Sequence, residues 1–172
     1  DWYRFPQFPE YSEPGFWLAK SNGGVLAVGT AKHFGDAKQV DRSGPIVDLA
    51  APAGAGGYWL VSDSGEVFSY GNAVHHGDLR GQTLADPVVA MTAHPTGNGY
   101  WLATADGGVF SFGNAGYYGS MGAIALNKPV VGMETTKSGN GYWLVASDGG
   151  IFSFGDAGFF GSTGDIVLNK PI

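Results

Sequence analysis

The string GYWLATADGGVFSFGNAGYYGS at residues 99–120 returns almost unchanged as GYWLVASDGGIFSFGDAGFFGS at residues 141–162. Shifting the chain against itself by 42 residues superposes Trp17, Trp59, Trp101 and Trp143, and with them Pro45, Pro87, Pro129 and Pro171, without insertion or deletion. Residues 99–130 and 141–172 share 21 identities in 32 positions, whereas the first copy keeps mainly its glycines, Trp17 and its turn. Repeats of about 3–44, 45–86, 87–128 and 129–172 therefore account for nearly all of the 172-residue chain. Whatever fold forms must be one that stacks like units, each supplying packing surface to the next.

A period near 42 residues suits a four-stranded propeller blade, and the helical apolar spacing that helical repeats of similar length need is missing. In the third unit PVVAMTAHP, GYWLATAD, GVFSFGNA and GYYGSMG read as four successive strands, each rich in β-branched or aromatic residues and bounded by Gly, Pro or Asn. Asn22-Gly23-Gly24, Asp106-Gly107-Gly108 and Asp148-Gly149-Gly150 predict tight primed hairpin turns between the second and third strands. Asp63-Ser64-Gly65-Glu66 departs from them and suggests a longer loop. The expected fold is all-β, a single-domain β-propeller of four ~42-residue repeats, each a four-stranded antiparallel blade. Both a four-bladed ring and a larger ring completed by another chain remain open.

Thirty glycines and nine prolines fit frequent turns, and 14% aromatic residues give the short strands large surfaces to bury. The net charge of −6 is spread over scattered carboxylates with no basic stripe, which argues against nucleic acid as a partner. No cysteine is present, so disulfides, thiolate nucleophiles and zinc knuckles do not arise. No apolar run approaches the roughly 18 residues of a transmembrane segment. Residues 1–14 combine Trp2, Tyr3, Phe5, Phe8 and Tyr11 with Pro6, Pro9 and Pro14, a pattern expected to dock irregularly against the first or last blade. The chain begins at Asp1, consistent with removal of a targeting segment.

Several residues have the chemistry of sites, and the repeat offers each a structural role. His33 and His75 share a slot with Tyr117 and Phe159, and His76 shares one with Phe34, Tyr118 and Phe160. Slots that exchange His, Tyr and Phe are aromatic packing or surface positions, not metal ligands. His94 stands before Pro95 and has no histidine counterpart. The carboxylates of Asp63, Asp106 and Asp148 read as turn formers in separate blades, too far apart for a glycosidase pair. Asp36, Asp78 and Asp156 fall in loops without the dense run of oxygen ligands that calcium favours. Ser69, Ser111 and Ser153, replaced by Ala27 in the first unit, read as small residues at a close approach, and no G-x-S-x-G elbow is present. The glycine-rich stretches open no helix and lack a following Lys-Ser/Thr, so they are no phosphate cradle. The Trp series reads as inter-blade packing, with Tyr117-Tyr118 and Phe159-Phe160 the better material for recognition. No catalytic residue, metal ligand or cofactor is expected, and no single binding residue stands out.

The stretch GYWLVASDGGIFSFGDAGFFGSTGDIVLNKPI resembles the tandem repeats of many secreted actinobacterial proteins, with residues 57–172 matching well. That resemblance implies a propeller-like, extracytoplasmic accessory module of the kind attached to cell-wall hydrolases or peptidases, and it carries over no catalytic residues. A weaker likeness to the Asp-box hairpin of sialidase-type propellers rests on Ser62-Asp63-Ser64-Gly65 and Ser147-Asp148-Gly149-Gly150, without the usual Thr-Trp ending. With Arg4, Arg42 and Arg80 as the only arginines, a sialidase site is not expected.

The leading functional expectation is a non-catalytic, secreted or cell-surface binding module. It would contact a protein or a cell-envelope polysaccharide through loops at one end of the ring. A lectin with repeated sites is the alternative. A third reading is an extracellular hydrolase or lyase with an irregular site in residues 1–56, or an accessory domain of such an enzyme.

Overall fold

The computed structural model describes residues 15–54 and 56–172. Among these residues the chain is all-β, with eleven strands and no helix. β1 (Phe16–Ala19) and β2 (Val25–Val28) form a two-stranded sheet. Three three-stranded sheets follow: β3 (Ile46–Ala50), β4 (Gly57–Ser62) and β5 (Val67–Gly71); β6 (Val88–Ala93), β7 (Gly99–Thr104) and β8 (Val109–Gly113); β9 (Val130–Thr135), β10 (Gly141–Ala146) and β11 (Ile151–Gly155). Every pairing is antiparallel, and in each larger sheet the Gly-Tyr-Trp strand lies in the centre. The segment expected to dock irregularly, residues 1–14, lies outside the described residues, as does the first strand expected of the first repeat.

The β-period of two turns each central strand into a two-sided surface. Tyr100 and Leu102 pack with Trp59, Val61 and Val67 of the preceding sheet. Trp101 and Ala103 pack with Tyr142 and Leu144 of the following one. Tyr58 and Leu60 close on Val25 and Ala37 of the first unit in the same way. The cores therefore lie between sheets, and Tyr58, Trp59, Tyr100 and Trp101 have no solvent exposure. Trp59 meets the Tyr100 ring at 5.1 Å between centroids and Trp101 meets Tyr142 at 5.7 Å, tilted contacts that add to area burial. Ser69, Ser111 and Ser153 pair in register with Trp59, Trp101 and Trp143, and a small side chain there leaves room beside the indole.

Three expectations are corrected. The fourth segment of each repeat is not a paired strand. It runs back along the outer strand and regains a backbone bond only at its end, where Leu79, Met121 and Thr163 donate to Gly65, Gly107 and Gly149 at 3.0, 2.8 and 3.1 Å. The polar groups that a ladder would use are taken by side chains. The indole N–H groups of Trp59, Trp101 and Trp143 donate to the carbonyls of Val74, Gly116 and Gly158 at 2.7–2.9 Å. Tyrosine hydroxyls of the next unit capture the backbone two and three residues further on.

The hairpin turns are not two-residue primed turns. Gly65, Gly107 and Gly149 donate to the carbonyls of Ser62, Thr104 and Ala146 at 2.8–2.9 Å, and those residues' amides bond Glu66, Gly108 and Gly150 at 2.8–3.0 Å. With φ of +79°, +83° and +79° at the three glycines, each loop has three residues and ends in a left-handed bulge. The Asp63-Ser64-Gly65-Glu66 turn follows the same pattern, so it is no longer than the others. In it Ser64, and not Asp63, stands where Asp106 and Asp148 stand.

No helix among the described residues is long and apolar enough to cross a membrane.

Candidate functional site

The hairpin-turn end of the stack carries a recurring surface feature. Each connection to the next sheet passes beside a turn and leaves a shallow cleft. One of about 330 Å3 is bordered by Asp63, Ser64, Asp86 and Pro87. A second, of about 500 Å3, lies between Asp86, Asp106, Lys128 and Pro129. A third, of about 490 Å3, is bordered by Lys128, Asp148, Leu168 and Pro171. These clefts recur because the turn and the proline recur. Asp106 Oδ1 accepts the Gly108 amide at 3.1 Å and the Thr104 hydroxyl at 2.5 Å, and Asp148 Oδ1 accepts the Gly150 amide at 3.0 Å. Both carboxylates thus organise their own turns while bordering the clefts. The mixture of carboxylate, amine and small apolar groups suits recognition of a polar surface.

The outer edge carries a second recurring feature. His33, His75, Tyr117 and Phe159 project from equivalent positions and are exposed, Tyr117 and Phe159 at 61% and 62%. Their neighbours turn inward. Phe34 lies against Tyr58 at 5.8 Å, His76 against Tyr100 at 5.7 Å, and Tyr118 against Tyr142 at 5.8 Å. The histidines are thereby separated, one sheet apart along the edge or turned into an interface. His94 is buried against Trp101 at 5.5 Å, with Nδ1 2.8 Å from the Thr96 hydroxyl. Among the described residues no three His, Asp or Glu side chains converge as a metal site would require.

The loop carboxylates are held locally. Asp36 pairs with Lys38 at 3.1 Å, and its hydrogen bonds to Lys38 keep its carboxyl below the usual range. Asp156 accepts the Ser138 and Thr136 hydroxyls at 2.6 and 2.9 Å, which lowers it likewise. Asp78 accepts the Arg80 amide at 3.1 Å. The recurrent serines carry buried hydroxyls with no base beside them that could make a nucleophile; Ser69, Ser111 and Ser153 Oγ have no hydrogen-bond partner.

Two carboxylates that repeat comparison passed over carry more structure than these. Asp48 on β3 accepts the amide of Met91 on the neighbouring β6 and that of Leu49, both at 2.8 Å. Burial pushes its carboxyl up, the two amides oppose this, and the charge of Glu134 on β9 adds to the rise. Glu66 is buried and accepts the Ser43 amide from the first unit at 2.7 Å and Arg80 Nε at 3.2 Å. The visible signal was a carboxylate where the other copies have Ala90 and Gly132, or Gly24, Gly108 and Gly150. Both tie one sheet to the next.

Comparison with protein-family models and with curated proteins found no match to this chain.

Proposed function

We propose that the chain is a non-catalytic binding module of the extracytoplasmic space, a propeller-like array whose turn-end loops contact a cell-envelope component or a protein partner. The observation that carries this reading is the recurrence of one cleft at the turn end of three successive units. Among residues of catalytic type, Asp106 and Asp148 organise turns, and His76 and His94 pack against aromatic rings. Rigid sheets hold the loops at fixed spacing, so a partner with a periodic polar surface would meet several similar sites at once. The resemblance to secreted actinobacterial repeats supports the extracytoplasmic setting.

A lectin is the second reading, favoured by the exposed column of Tyr117 and Phe159, whose faces could stack on sugar rings. Titration against purified envelope polysaccharides and against immobilised surface proteins separates the two. For the leading reading, Asp86→Ala and Lys128→Ala weaken binding several-fold while Tyr117→Ala leaves it unchanged. For the lectin the order reverses. Lack of binding to every member of both panels would remove both readings.

A further inference from the structure

We propose, resting on the reading of the turn-end clefts as a binding surface, that their occupant is a protein which lays a basic, extended segment across the two clefts sharing Asp86. One cleft runs from Asp63 to Asp86 and the next from Asp86 to Lys128, so the Asp86 carboxylate stands on the wall between them. Asp86 and Lys128 hold equivalent places, before Pro87 and Pro129, and both are exposed. Among the described residues neither belongs to a salt bridge, so both charges face solvent uncommitted. Asp106 is fixed more firmly. Its Oδ1 is taken by the Gly108 amide and the Thr104 hydroxyl, while its Oδ2 lies toward Gly122 in the cleft wall, 3.8 Å from where a Cβ on that glycine would stand. A carboxylate oxygen held in place by its own turn is a ready acceptor for an ammonium or guanidinium group.

Charge and shape together select the occupant. The carboxylates of Asp63, Asp86 and Asp106 stand against the single amine of Lys128, which favours a cationic partner and repels an acidic polymer. Ile124, 58% exposed, forms an aliphatic ledge with Ala125 and Pro129 in the second cleft, and Leu84 with Pro87 does so in the first. Among the described residues no aromatic ring borders either cleft, so a sugar finds no face to stack on. The stem of a lysine or arginine, by contrast, lies along such a ledge with its charged end at the carboxylate. A polypeptide therefore fits these two clefts better than a polysaccharide.

The spacing of the units sets the spacing of the segment. Packed sheets lie about 10 Å apart, so equivalent points in successive clefts recur at about that distance. Three residues of extended chain span about 10 Å. On a β-strand, residues three apart point to opposite sides, whereas the polyproline II helix, with three residues per turn, points them to the same side. The segment thus takes polyproline II form, with one basic side chain in each cleft. Lys128, on the far wall, matches a carboxylate three residues further on.

The test uses the whole chain and capped peptides in which two lysines and a glutamate follow one another at three-residue spacing with prolines and alanines between, made in both chain directions. Titration followed by NMR finds that one direction binds, shifts the amides around Asp86, Asp106 and Lys128, and weakens as salt is raised. Asp86→Asn, with an unchanged melting temperature, lowers affinity by roughly 5-fold or more. Lys128→Glu reverses the preference, so that a peptide with lysine in place of the glutamate binds better. Failure of both directions to bind at millimolar concentration, binding that Asp86→Asn does not weaken, or equal affinity for lysines two residues apart would each overturn the proposal. A purified polysaccharide whose binding Asp86→Ala weakens, with no binding of either peptide, would overturn it and leave the clefts standing as a binding surface. Binding of polysaccharide and peptide alike that is indifferent to Asp86→Ala would remove both.

Discussion

Tyr58, Tyr100 and Tyr142 each do two jobs with one oxygen, donating to a carbonyl and accepting an amide from the unit before. Burial raises all three hydroxyls, that of Tyr100 to about 12 from 10.0. A phenol whose folded value exceeds its unfolded one binds its proton more tightly when folded. Its contribution to stability is thus complete below pH 10 and is lost as pH rises through 12. Tyr100→Phe removes both hydrogen bonds and strands the His76 amide and the Gly77 carbonyl, at a cost of about 1–3 kcal/mol. Tyr70→Phe, which touches no such latch, costs less. Denaturant titrations of the two variants at neutral pH check the difference, and repeating them between pH 9 and pH 12 finds a shallower alkaline loss in Tyr100→Phe.

At the scale of the element, the hairpin turn shows how little freedom the repeat allows. Gly107 has φ of +83°, and a Cβ there would lie 2.6 Å from Met121 Cβ, in the segment returning along the sheet. Gly107→Ala combines left-handed strain with that clash and lowers stability by about 2 kcal/mol or more, read as a lower denaturation midpoint. Much of the fold was legible because the Trp, Pro and Gly positions recur at one spacing. The order of strands and the burial of Trp59 and Trp101 follow from that alone. The returning segment was misread because GYYGSMG has strand-like composition, while its backbone groups are claimed by an indole and by a tyrosine from another unit. No local pattern carries such long-range capture. Asp48 escaped notice for a related reason: its partner amide, at Met91, lies 43 residues away.

For the whole molecule, each sheet leans on its neighbours, so stability rises toward the middle of the stack. β4 and β7 are covered on both faces and every residue in them is buried, whereas β1 alternates between exposed and half-buried. Hydrogen exchange monitored by mass spectrometry or NMR should find the slowest amides in β4 and β7, with β1–β2 opening at lower free energy. Uniform protection across all four sheets would contradict this picture. The latches also have a direction: Tyr58, Tyr100 and Tyr142 each reach back to a loop earlier in the chain, while the Tyr118 hydroxyl adds a forward bond to the Gly139 carbonyl. During synthesis, a sheet leaving the ribosome therefore meets a neighbour whose receiving groups have already emerged, and the order of translation becomes the order of assembly.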